Sequence, residues 1–214
     1  MCWNEDVSLN TFLFSSFVLL LILYNNLFTK YKIKEFKNTF HYLFIASFIF
    51  IQLIEFFIWK NINNKFYNNI FSIIAQLLFI IQPIISIMLL SNIKLRNFLL
   101  ILYLLIAIPY SIYNFSTKNI HSVISERGHL TWKFFDTTLI SWFVWLFFFL
   151  FSIIYEKGLF GILFALTTLL ITFINYMNDN SVGSMWCWSV NSIMIYYSVY
   201  LLIYLPFLEK SQIC

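Results

Sequence analysis

The sequence predicts an all-α protein, a single polytopic bundle of seven membrane-spanning helices with no soluble domain. Three observations carry that expectation. Residues are 61% hydrophobic and only 10% charged, whereas about a quarter of a soluble domain is charged. Mean hydropathy is +0.83, more apolar surface than a fold of 214 residues can hide in its own interior, so the bilayer must serve as part of its solvent. The apolar residues also gather into seven runs, each near the roughly 20 residues that cross a hydrocarbon core.

Those runs lie at 10–28, 40–59, 67–91, 97–115, 134–155, 159–177 and 185–207. Each must be helical, because lipid offers the backbone no hydrogen-bond partner. The first run does not read as a cleavable signal peptide, since "MCWNEDVSLN" ahead of it is acidic and no small-residue cleavage site follows. The connections are short, which favours antiparallel packing of consecutive helices, and they hold most of the charge.

Basic residues set the expected orientation. With seven spans, one side of the membrane holds Lys30, Lys32, Lys34, Lys37, Lys94, Arg96, Lys157 and Lys210. The other holds only Lys60, Lys65, Lys118, Arg127 and Lys133. The run "KYKIKEFK" after the first span is the strongest single signal. The N-terminus is therefore expected outside or luminal, and the C-terminus cytosolic. The net charge of +4 thus reports topology. With no Arg-rich tract and no long polar segment, nucleic acid is not an expected partner; the lipid bilayer is.

No P-loop, HExxH, GxSxG or CxxC pattern occurs. A retinal protein needs a Schiff-base Lys in its last span, and 185–207 has none. Two His in the outer region are too few for a membrane hydrolase that gathers several at the surface. Chemistry must instead be sought among polar residues inside or beside the apolar runs, where an ionisable group costs roughly 2.5–3.5 kcal/mol at a helix centre and normally has a partner.

Glu55, in "IQLIEFFIW", sits about one turn inside the outer end of the second span, with Gln52 one turn earlier on the same face. Gln82 and Pro83 lie mid-span in the third run, where proline frees a carbonyl and glutamine can bond across helices. In "RGHLTWKFFD", a fifth helix beginning near Gly128 would place His129, Trp132 and Asp136 on one face. Asn191 adds an amide to the seventh span.

The cysteines are Cys2, Cys187 and Cys214. Cys2 beside Trp3 and Cys187 beside Trp186 fall on the same side of a seven-span topology, whichever way it is inserted; Cys214 falls on the other. Trp3, Trp59, Trp132, Trp186 and Trp188 also cluster at that outer face, the pattern of an interfacial aromatic belt. Cys2, Glu55, His129, Asp136 and Cys187 therefore form a candidate polar site in the outer half of the bundle, with Trp3, Gln52, Gln82, Pro83, Trp132, Trp186 and Asn191 in support. Three readings of the thiols stand. They form a Cys2–Cys187 disulfide, they are buried free thiols, or they are thiolates serving a transition metal or a catalytic site with the acids and His129. Asn114 opens a glycosylation sequon but lies close to the expected membrane surface.

"MCWNEDVS", "QLIEFFIW", "QP", "GHLTWKFFD" and "MWCW" together resemble an uncharacterised family of small polytopic membrane proteins from large DNA viruses and some bacteria, whose members begin Met-Cys-Trp-Ser. Asn4 stands here for the Ser. The resemblance implies no activity. It implies a viral or host membrane, and it marks Cys2, Trp3, Glu55, Gln82, Pro83, His129, Trp186 and Cys187 as the positions to test. The expected function is that of a multi-pass membrane protein with an outer polar site, metal- or cofactor-binding in one reading. The rivals are a structural or assembly protein held by a disulfide and hydrogen bonds, and a receptor or transporter.

Overall fold

A computed structural model describes residues 4–135, 138–156 and 158–207. The chain folds as α1 (Glu5–Phe28), α2 (Thr39–Lys60), α3 (Lys65–Ile87), α4 (Ile93–Thr117), β1 (Ser122–Ile124), β2 (Leu130–Trp132), α5 (Leu139–Tyr155), α6 (Leu159–Tyr176), α7 (Val182–Val190) and α8 (Ile193–Val199). The π-helical turn Tyr200–Tyr204 continues α8. Six helices are long and apolar enough to cross a membrane, with α7 and α8 counted as one span, Val182–Phe207; the apolar part of α5, Ile140–Tyr155, is shorter.

The many asparagines have a structural use. Asn4, Asn38, Asn64 and Asn92 each end a connection and accept from a backbone N–H in the first turn of α1, α2, α3 and α4, and so satisfy donors that a helix start leaves orphaned. Capping by Asn4 starts α1 five residues before its apolar run, with Glu5 and Asp6 at the positive end of the helix dipole. In the basic connection after α1, Ile33 and Phe36 are buried anchors among lysines.

α2 packs between α1 and α3, α3 packs on α5, and α6 packs on α7, while α7 and α8 close the bundle against α2 and α1. Its centre is a column of rings. Phe79 stacks on Trp145 at 4.0 Å, Trp145 on Phe149 at 4.6 Å, and Phe149 on Phe44 at 5.4 Å. Trp186 meets both Trp145 and Phe149 edge-on. Offset and edge-on packing of this kind adds about 0.5–1.5 kcal/mol per pair beyond area burial.

The segment before α5 departs from the sequence expectation. It is a β-hairpin, not the start of a helix. Ser122, Val123 and Ile124 pair antiparallel with Trp132, Thr131 and Leu130. Gly128, at φ 80°, lets the four-residue turn close, and the Gly128 N–H donates to the Ser125 carbonyl at 2.9 Å. A buried hairpin needs partners for its backbone, and the helices supply them. The Asn68 amide both donates to the Ser122 carbonyl and accepts from its N–H, each at 2.9 Å. Ser184 Oγ donates to the Leu130 carbonyl at 2.6 Å. Leu130 and Trp132 are consequently core residues, and the hairpin closes the end of the bundle where α3, α5 and α7 begin.

Candidate functional site

A polar centre between α2 and α7 emerges from two helix faces. On α2, Phe48, Gln52 and Glu55 follow at i, i+4 and i+7; on α7, Cys187 and the residue after its last turn, Asn191, are four apart. Glu55 and Gln52 are fully buried, and Gln52 Nε2 donates to Glu55 Oε2 at 2.9 Å. Glu55 is close enough to act electrostatically on the buried free thiol of Cys187. Asn191 Nδ2 donates to the Cys187 carbonyl at 2.8 Å and across to the Phe48 carbonyl at 3.3 Å. Both amide nitrogens are thus placed against acceptors. Each amide oxygen, Gln52 Oε1 and Asn191 Oδ1, is then buried without a donor.

The seventh span is interrupted beside this centre. Asn191 and Ser192 donate backbone N–H groups to Trp188 and Ser189 at 3.1 Å, and Met194 and Ile195 to Asn191 and Ser192 at 3.0 Å. These are i−3 bonds, a stretch of 3₁₀ turn inside a transmembrane helix. The tighter turn frees the Cys187 carbonyl, and the Asn191 side chain takes it. One residue thus accounts for the break, for the satisfied carbonyl and for the bond to α2.

Pro83 acts as expected, but through a different partner. It has no N–H for the carbonyl of Phe79 four residues earlier, and Trp145 Nε1 on α5 donates to that carbonyl at 2.9 Å. Gln82, by contrast, is fully buried with both amide atoms unpartnered. Trp186 is core, its Nε1 donating to Thr168 Oγ1 at 3.2 Å; Trp132 is core as well. Neither belongs to a headgroup belt. Trp188 Nε1 donates to Thr11 Oγ1 at 3.2 Å and ties the last turn of α7 to α1.

His129 and Trp132 do not share the expected helical face, because no helix forms there. His129 directly precedes β2, where residues three apart point to opposite faces. Its ring meets Tyr176 edge-on at 5.2 Å, in the electrostatic neighbourhood of Asp179 and Arg127. Burial is the main cause holding the imidazole below its usual value; Arg127 acts the same way and Asp179 opposes. The neutral ring is therefore the form the fold prefers. Its contribution to stability is complete above about pH 6.5, the usual histidine value, and is lost as pH falls through the lower folded value. Hairpin amide protection factors, which correct for the slower intrinsic exchange at lower pH, should fall between neutral and mildly acidic pH, and His129→Gln should flatten that dependence. An unchanged pH profile in the variant would show that another group is responsible.

Cys2, Trp3 and Asp136 lie outside the described residues. Among the described residues no group of three or more His, Cys, Asp and Glu is placed to hold a metal ion. Glu55 and Cys187 are brought together, while His129 sits with Tyr176 and Asp179. Asn114 is 1% exposed, which leaves no room for a glycan at the sequon.

Sequence reasoning missed a second polar group. Between α3, α4 and α5 lies a half-open cleft of about 230 Å³, whose wall includes Gln76, Tyr110 and Asn114. Single amides scattered through apolar runs look alike in a sequence, and only packing shows which ones converge. Compared with protein-family models, with curated proteins and with solved structures, the chain matches none.

Proposed function

We propose that the chain is a multi-pass integral membrane protein, its hairpin end on the outer or luminal side, working through the α2–α7 centre by binding a small cation or cofactor group there. The observation that carries this reading is the pair of buried acceptor oxygens, Gln52 Oε1 and Asn191 Oδ1, left without donors beside a carboxyl and a thiol. A buried acceptor without a donor costs about 1–3 kcal/mol, and a bound cation would satisfy it. Thiolate and carboxylate suit a transition ion, and amide oxygens are weaker partners for it. A full ligand set would therefore draw on Cys2 or Asp136.

Elemental analysis of protein purified in detergent without chelator tests the reading. A bound transition metal is expected, lost in Cys187→Ser and depleted in Glu55→Gln. Metal-free protein whose non-reducing digest contains a Cys2–Cys187 peptide would overturn it. That result would favour a second reading, a structural or assembly protein of a viral or host membrane, for which the Asn191 bond from α7 to α2 is already a fitting cross-brace.

A further inference from the structure

We propose that the cleft between α3, α4 and α5 is a binding site for the head of a neutral, hydroxyl-bearing membrane lipid, of the glyceride or quinol kind. The site shares no residue with the α2–α7 centre. Its polar atoms are unusual in having nothing to bond. Gln76 is 4% exposed and Asn114 1% exposed, yet Gln76 Oε1, both amide atoms of Asn114 and the Tyr110 hydroxyl are buried without hydrogen-bond partners. By contrast, Ser111 Oγ and Tyr103 OH in the same wall are satisfied by carbonyls of Ala107 and Ile80. Unpaired groups that line one space call for an occupant that both donates and accepts.

Geometry and charge narrow the occupant. Asn114 and Tyr110 occupy the last two turns of α4, at the hairpin end; Tyr103 lies eleven residues below Asn114 on the same helix, about 16 Å at 1.5 Å per residue. The polar groups thus sit toward the end where lipid heads are anchored. The rest of the wall is apolar and aromatic, with the stacked Phe79 and Trp145 rings forming a flat side. Among the described residues no Lys, Arg, His, Asp or Glu lines the space, so nothing described there would compensate a phosphate or carboxylate. The volume equals roughly eight waters at about 30 Å³ each, enough for a head but not a whole lipid. The rim carries Ile106 and Ile140, 43% and 75% exposed, between which a tail can pass from the cleft to the bundle exterior.

The test uses the full chain in phosphatidylcholine vesicles, under reducing conditions, with two photoactivatable probes, a monoacylglycerol and a short-tailed quinol. At least one is expected to label α4 or α5 peptides around Tyr103–Ser116 or Trp142–Trp145, and excess unlabelled lipid of the same kind should compete. Asn114→Leu and Gln76→Leu should each weaken labelling about five- to tenfold, the worth of a hydrogen bond; Ala107→Trp should fill the cleft and abolish it. Labelling by one probe alone assigns the source. Labelling by neither, labelling that unlabelled lipid does not displace, or equal displacement by phosphatidic acid would overturn the proposal without bearing on the α2–α7 centre. The competition experiment needs no variant and so stands even if a substitution prevents folding.

Discussion

Trp145→Ala is expected to lower the stability of the detergent-solubilised protein by about 4 kcal/mol, within the 3–5 kcal/mol typical of deleting a large buried aromatic ring. Trp145 is stacked between Phe79 at 4.0 Å and Phe149 at 4.6 Å and meets Trp186 edge-on. Its indole N–H also serves the carbonyl that Pro83 abandons. Trp145→Phe separates the two roles. It keeps a ring in the column but removes the indole bond to the Phe79 carbonyl, and should cost about 1–3 kcal/mol. In a Pro83→Ala background the new N–H can reach the same carbonyl within α3, so Trp145→Phe should cost markedly less there. The double-mutant cycle in reversible unfolding measures that coupling. Strict additivity would mean that the indole bond to Phe79 does not compensate for the proline.

Much of the architecture was legible in the sequence because lipid imposes one rule on every span. Seven apolar runs became seven helical segments, six of them long and apolar enough to cross a membrane, while the fifth, whose run opens in the turn after the hairpin, is shorter. Glu55 and Gln52 were legible as one polar face of α2 for a related reason. Polar residues in apolar runs are few, and helical periodicity places them on faces. His129 was misplaced because "GHLTWKFFD" was read as a helix start, whereas "ISERGHL" holds the better signal, a four-residue turn with Gly at its fourth position between short apolar stretches. The aromatic column and the α3–α4–α5 cleft were not legible. With 22% aromatic residues, nothing in spacing alone distinguishes Trp145, a core ring with a bonded indole, from Phe147 on the outer surface of the same helix.

The break in the seventh span shows how a polar side chain can carry local backbone geometry. Neither Gly nor Pro occurs between 184 and 205, yet the helix tightens at Asn191 and widens at Tyr200–Tyr204. Asn191 can compete for the backbone because its amide reaches the carbonyl four residues earlier. The Tyr196, Tyr200 and Tyr204 rings form a ladder along the following segment, with centroids 5.9 and 5.3 Å apart. Both irregularities lie on the span that carries Cys187, the first of them beside that residue. Interruptions of a membrane helix are tolerated where protein, not lipid, surrounds them, as it does Asn191.

Asn68→Leu is expected to detach the hairpin. The side chain is 4% exposed and Ser122 2% exposed, so removing the amide leaves the Ser122 N–H and carbonyl buried and unpaired, at about 3 kcal/mol for the two groups. The cost falls on a local unit. Amide exchange of Ile124, Leu130 and Thr131 should therefore accelerate about a hundredfold, the equivalent of that energy, while α1 and α2 keep their protection. A uniform loss across all helices would instead make Asn68 a global packing residue. The same variant probes the polar centre, because Leu130 is held by Ser184, three residues from Cys187. Cys187 is 1% exposed, and its alkylation in the wild type should be slow. If alkylation accelerates together with hairpin exchange, the hairpin is the plug over the Glu55–Cys187 centre and its release is the route by which a ligand enters. If the thiol stays protected while the hairpin opens, the hairpin closes only the α3 side of the bundle, and access to the centre must come between α2 and α7.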